Sequence, residues 1–127
     1  MLKPASLMQR IVPWLKFERS IQVPTTTLGE FTGQHSIDHV DLLHMDIQGA
    51  ELLALQDAVK MLAKTGTIWV EVADRQIYQD QPSSDQMTDF LAGFGFLLLL
   101  RSVSDGLGDH LYANKNYFEI HPRYARH

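Results

Sequence analysis

Hydrophobic and polar positions along this chain fall into segments of two kinds. Val40 to Asp46 is an apolar run that closes on an acid, and it reads as a β-strand. Neither of its faces is consistently polar, which suits a strand covered by helices on both sides. From Gly49 to Lys64 the spacing changes to three or four, with apolar Leu52, Leu55, Val59 and Leu62. Lys60 and Lys64 lie near the C-terminal end and Gly66 just beyond, so the pattern predicts one amphipathic helix with a glycine stop. Thr67 to Val72 is β-branched and aromatic, a second strand that ends among Glu71 and Asp74. Ser83 or Ser84 caps a helix carrying Met87, Phe90, Leu91 and Phe94, with Gly95 after it. Phe96 to Arg101 is a third strand. Asp105-Gly106-Leu107-Gly108 is a turn, and His110 to Asn114 returns as a fourth strand.

Ahead of these segments the pattern is weaker. Met1 to Phe17 reads as irregular, and Pro4 and Pro13 limit any helix between them to about two turns. Ile21 to Val23 fits a short strand that Pro24 ends or places at a sheet edge. Thr27-Leu28-Gly29-Glu30 fits a capping box, opening a helix kept brief by Gly33. Strands that alternate with helices imply an α/β sheet with parallel neighbours and right-handed crossovers. The last connection is only a turn, so the final strand is antiparallel to its predecessor or inserted beside it. The expected architecture is a mostly parallel sheet with one reversed strand near an edge. The organisation divides into an irregular segment over 1–19, a main body over 20–118 and a basic tail over 119–127.

At 127 residues, 45% hydrophobic and 20% charged, the chain is long enough for one buried core. A net charge of −4 argues against a nucleic-acid or anionic-membrane partner. The basic cluster from Arg123 to Arg126, with His121 and His127, is short and terminal and reads as a solvated end. There is no cysteine, which excludes disulfides, thiolate metal sites and thiol nucleophiles. The first fifteen residues have no continuous apolar region, and Phe94 to Leu100 is too short to span a bilayer, so a cytoplasmic location is expected.

One series of segments carries a family likeness. It runs from Val23-Pro24-Thr25-Thr26-Thr27-Leu28 through Val40-Asp41-Leu42-Leu43 to Met45-Asp46-Ile47-Gln48-Gly49-Ala50-Glu51. It continues in Trp69-Val70-Glu71-Val72, Tyr78 with Gln81-Pro82, Phe94-Gly95-Phe96, and Asp109 to Asn114. Over about residues 20 to 115 the chain resembles the C-terminal half of the FkbM-type methyltransferases. Asp46 to Glu51 resembles the signature Asp-x-Glu/Gln-Gly-Ala-Glu. Gly29 stands where the family usually has an acid, and His44 where many members carry Lys or another polar residue.

The resemblance implies a partial Rossmann-like class I methyltransferase sheet and S-adenosylmethionine as methyl donor. Family members carry, upstream of this region, a strand ending in an acidic, glycine-rich turn for the cofactor, and an acid on the next strand for its ribose. Gly29 and Gly33 are isolated and no such turn precedes Asp46, so no residue here is assigned to the cofactor. Met1-Leu2-Lys3-Pro4 also resembles an internal stretch of longer relatives. The expectation is a truncated portion lacking the N-terminal cofactor-binding strands. The edge left open beside the strand of Asp46 would then invite self-association or a complementing N-terminal half.

Asp46 is the catalytic candidate. The resemblance places its carboxylate at the cofactor–substrate junction, where it would orient a hydroxyl or accept its proton; the alternative is a cap for the following helix. Gln48, Gly49, Glu51, Glu71 and Tyr78 are the substrate-side candidates. For Gly49 the alternative is a tight strand-to-helix turn, for Glu51 a favourable helix-dipole interaction, for Glu71 a surface carboxylate, and for Tyr78 packing. His35 and His39 are four apart, a metal-ligand spacing only on a helix, and the flanking residues disfavour a helix there, so no metal set is assigned. The implied activity is methyl transfer, by resemblance to oxygen, on a sugar or small metabolite. The rival is a non-catalytic α/β module or decayed fragment that associates through its exposed strand edge.

Overall fold

The computed structural model describes residues 6–16, 18–75 and 77–120. Their elements run α1 (Ser6–Ile11), α2 (Leu28–Gln34), β1 (Val40–Met45), α3 (Glu51–Gln56), α4 (Val59–Leu62), β2 (Thr65–Ala73), α5 (Ser84–Ala92), β3 (Phe96–Ser104), β4 (Leu107–Asn114) and α6 (Lys115–Ile120). The basic cluster after Ile120 lies outside the described residues.

The chain is a mixed α/β fold built on one four-stranded sheet in the order β1-β2-β4-β3. β1 and β2 pair in parallel, and β4 is antiparallel to both β2 and β3. Three strands therefore run one way and β4 opposes them, inserted beside its predecessor. The expectation of parallel neighbours holds only for β1 and β2. The two-residue turn after β3 brings the chain straight back, so its return strand takes the place next to β2 and separates β3 from it.

Several expected elements differ in detail. The helix read from Gly49 to Lys64 is two short helices, α3 and α4. It breaks at Asp57–Ala58, where Ala58 leaves helical geometry and its N–H bonds back three residues to Leu55. Ala58 is buried, and the break seats Leu55 and Leu62 in the same core. Ile21 to Val23 forms no strand. Ile21 and Val23 are exposed and find no neighbouring ladder among the described residues. The capping box of Thr27 with Glu30 opens α2 as expected, and of the two serines offered for α5 it is Ser83 that caps, completing a second box with Gln86.

In β2 buried residues alternate with half-buried ones, so its two faces differ. Ile68, Val70 and Val72 face the core with Met45 of β1 and Tyr112 of β4. Leu55, Leu62, Met87 and Leu91 of α3, α4 and α5 pack onto them. Each fully buried leucine of this set contributes about 1.5–3 kcal/mol. On the opposite face Leu42 of β1 and Leu97 and Leu100 of β3 are exposed, at 58%, 54% and 45%. Trp69 and Leu111, paired across β2 and β4, are half-buried beside them. Helices α3, α4 and α5 thus cover one face of the sheet, while Leu42, Leu97 and Leu100 on the other stay exposed, against the expectation of cover on both sides of β1.

Candidate functional site

The parallel register of β1 and β2 decides where the acids lie. Met45 pairs with Val70, so Asp46 and Glu71, one residue further along each strand, arrive side by side at the C-terminal rim. The antiparallel register of β4 adds Asp109 directly opposite Glu71. Glu51 comes from the first turn of α3. It is buried, and its Oε1 accepts the backbone N–H of Ile47 at 2.8 Å. One carboxylate oxygen from each of Asp46, Glu51 and Glu71 lies within 4.8 Å of the others. Among the described residues this is the group whose donors are close enough to hold a metal ion, and His35, His39 and His44 do not belong to it.

Crowding carboxylates at one rim disfavours ionising them all. Glu71 carries this effect, its carboxyl pushed up to about 7. Burial is the largest cause, followed by repulsion from Asp46, a hydrogen bond with Asp46, and repulsion from Glu51 and Asp109. A proton shared with Asp46 lets the two side chains touch without repulsion.

The turn between β1 and α3 fixes this pair from the other side. Gln48 and Gly49 both have left-handed backbones, φ 58° and 93°. This is the conformation that glycine tolerates best and that turns the chain sharply into α3. It aims the Gln48 amide back at the rim, where its Nε2 donates to Asp46 Oδ1 at 2.6 Å. The hydroxyl of Tyr78, buried in the loop after β2, donates to Gln48 Oε1. That hydroxyl is held above the ordinary tyrosine range, first by burial and then by the negative charge of Glu71, Asp46 and Glu51. Gln81 in turn accepts from the backbone N–H groups of Ile77 and Tyr78, at 3.3 and 3.1 Å.

The structure therefore brings together Asp46, Gln48, Gly49, Glu51, Glu71 and Tyr78. Asp46 does not cap α3, whose N-cap is Ala50 without a side-chain bond. Asp109 was not among the candidates read from the sequence. Its signal is the antiparallel register of β4 against β2, which composition does not encode. Chemically the rim offers an ionisable carboxyl pair, a buried third acid and a tyrosine–glutamine buttress. Such a set suits hydrogen-bonding a hydroxyl and taking up its proton.

Comparison with known proteins bears on this rim. The Methyltransferase FkbM domain matches residues 5–98. The chain belongs to the FkbM methyltransferase family. The match starts ahead of the likeness read from the sequence, taking in α1, and ends in β3. The chain is 31% identical over 81 residues to the 2-O-methyltransferase NoeI of Sinorhizobium fredii, covering 64% of this chain and 33% of NoeI. It is 33% identical over 101 residues to the AMB antimetabolite synthetase AmbE of Pseudomonas aeruginosa, covering 77% of this chain and 4% of AmbE. The chain thus spans about a third of the length of the first of these relatives and a small part of the second. No solved structure matches. No helix among the described residues is long and apolar enough to cross a membrane.

Proposed function

We propose that this chain supplies the acceptor side of an S-adenosylmethionine-dependent O-methyltransferase of Rossmann-like architecture, acting on a hydroxyl of a sugar or small metabolite. The observation that carries the reading is the meeting of Asp46, Glu51 and Glu71 at the C-terminal rim of two parallel strands, the edge where open α/β sheets bind ligands. Family membership and the 2-O-methyltransferase relative support methyl transfer as the reaction.

S-adenosylmethionine, when bound, supplies an electrophilic methyl group on a sulfonium. The described residues do not fit its cradle, because no glycine-rich turn follows β1 or β2. The left-handed pair at this rim, Gln48–Gly49, has its glutamine engaged by Asp46 and Tyr78. In this reading the chain's residues act on the acceptor. The Asp46 carboxylate takes a hydrogen bond from the acceptor hydroxyl and aligns its oxygen for in-line attack. It is placed to receive the proton that this hydroxyl gives up. Glu71, its carboxyl pushed up to about 7, carries a proton beside Asp46 below that pH. Gln48 and Tyr78 hold Asp46 in place and Glu51 holds the turn.

The cofactor-binding part then belongs beside β1, which ends the strand order among the described residues, and on the sheet face bearing Leu42, Trp69, Leu97 and Leu100. A second copy of the chain is the competing occupant. The test joins this chain to an FkbM cofactor-binding segment, as one polypeptide or as a mixture, and follows tritium from methyl-labelled S-adenosylmethionine. The expected result is label on a hydroxylated acceptor only when both parts are present. No transfer to any saccharide or small alcohol from a folded, cofactor-binding assembly would reject the reading.

A further inference from the structure

Beside the acidic rim lies a second feature, an open cleft of about 530 Å³ between α3, the loop after β2 and the start of α5. Leu52, Leu53 and Pro82 give it an apolar floor. Its polar groups are Gln56, Asp80, Gln81 and Gln86. It adjoins the rim through residues already placed. Gly49 lines it, next to the Gln48 that holds Asp46, and Gln81 lines it while accepting from the backbone of Tyr78.

The hydrogen bonds around this cleft give it a definite chemistry. Gln81 Oε1 is engaged by the N–H groups of Ile77 and Tyr78. Gln86 Oε1 is engaged by the N–H of Ser83, 2.9 Å away, as the second half of the α5 capping box. Both side chains are thereby oriented by the oxygen, and each keeps an NH₂ group with two donors. Asp80 adds a carboxylate acceptor, held on a left-handed backbone at φ 59°. Fixed amide donors and one carboxylate over a leucine and proline floor match a ring that is hydroxylated at its edges and apolar on its faces.

We propose that this cleft is a saccharide subsite that seats the non-reacting part of the methyl acceptor, with Gln81 and Gln86 donating to its hydroxyls and Asp80 accepting from them. The proposal rests on the methyl-transfer reading for its connection to Asp46, and on the cleft alone for its ligand class. It makes the acceptor a carbohydrate of more than one polar contact, anchored on the α5 side while one hydroxyl reaches the carboxyl pair.

The test is binding, followed on the side-chain NH₂ resonances of the ¹⁵N-labelled full chain. The probes are methyl β-D-glucopyranoside and maltose, with cyclohexanol as a ring of similar size and few hydroxyls. The expected result is a saturable shift of the Gln81 and Gln86 amides with both sugars and none with cyclohexanol. Gln81→Glu and Gln86→Glu keep the oxygen that accepts from the backbone, so the loop and the α5 cap survive while the donors vanish. Together they should weaken sugar binding about tenfold or more. Glutamine resonances that stay still, or move equally with cyclohexanol, would overturn the proposal, as would unchanged sugar affinity in the double variant. Saturable sugar shifts without methyl transfer in the assembled enzyme would keep the subsite and remove the transfer reading. Transfer to a non-carbohydrate alcohol with unmoved glutamines would do the reverse.

Discussion

The hydroxyl of Tyr78 donates to the side-chain oxygen of Gln48, and the amide of the same Gln48 donates to Asp46. A loop residue from beyond β2 thus holds a carboxylate at the end of β1. Tyr78→Phe keeps the buried ring and removes the donor. It should cost about 1 kcal/mol in urea unfolding, the usual contribution of one hydrogen bond, and lower kcat more than it raises KM in the assembled enzyme. An unchanged kcat would show that the buttress does not position Asp46.

Glu71 makes stability depend on pH in a definite direction. Its carboxyl sits at about 7 in the fold against an ordinary 4.5. Between those values the folded chain keeps a proton that the unfolded chain releases, so stability is full below about pH 4.5, falls as pH rises to about 7, and is flat above. Glu71→Gln, permanently neutral, should abolish that fall. A wild-type stability that rises across the same interval, with Glu71→Gln unchanged, would contradict the shared-proton arrangement.

His110 acts with the opposite sign. It is buried on the helix-covered face of β4, its Nδ1 is 2.8 Å from the Tyr112 hydroxyl, and its Nε2 has no hydrogen-bond partner among the described residues. Tyr112 continues to Thr88, and Thr88 donates to the carbonyl of Ser84. Followed back, that chain of donors makes His110 Nδ1 the protonated nitrogen and leaves Nε2 a bare acceptor. Burial, then Arg101, hold the imidazole below its ordinary 6.5. The folded chain resists a proton that the unfolded chain accepts, so this contribution is present above about 6.5 and is lost as pH falls below it. His110→Phe should flatten the acid limb in thermal unfolding and leave the Glu71 limb in place.

The β3–β4 hairpin depends on Gly108. A Cβ there would lie 1.9 Å from the Ser102 carbonyl oxygen and 2.8 Å from Val103 Cα, both backbone atoms of the paired strand. Neither can move without breaking the ladder. Gly108→Ala should destabilise the chain by about 3 kcal/mol or more, at the upper end of single substitutions, read from the urea midpoint. A loss under about 1 kcal/mol would mean the hairpin register is wrong.

The acidic rim was legible because strand ends announce themselves. The apolar run stopping at Asp46, and Glu71 near the end of the next one, place both acids toward the same end of any parallel pair, and Gly49 marks the turn into α3. The cap at Thr27, and a serine cap at Ser83 or Ser84, were legible for a similar reason: the chemistry lies within four residues. Asp109 was not, since only the pairing of β4 with β2 puts it opposite Glu71. The break at Ala58 was hidden because Leu55 and Leu62 keep helical spacing through it, and core packing chooses the bend. The open sheet face was hidden as well. Leu42, Leu97 and Leu100 are as apolar as covered residues, and a sequence does not say which of its apolar positions find a cover.

In the proposed reaction Asp46 is the group that receives the acceptor's proton. Asp46→Asn keeps the bond from Gln48 through its side-chain oxygen and loses the basic carboxylate. The decisive measurement is the methyl-transfer rate of the assembled enzyme carrying this substitution, beside its melting temperature and its affinity for S-adenosylmethionine. The expected result is a fall of about 10²-fold or more in kcat, the scale of a lost general base, with melting and cofactor affinity unchanged. A variant that transfers methyl groups at the wild-type rate would contradict it.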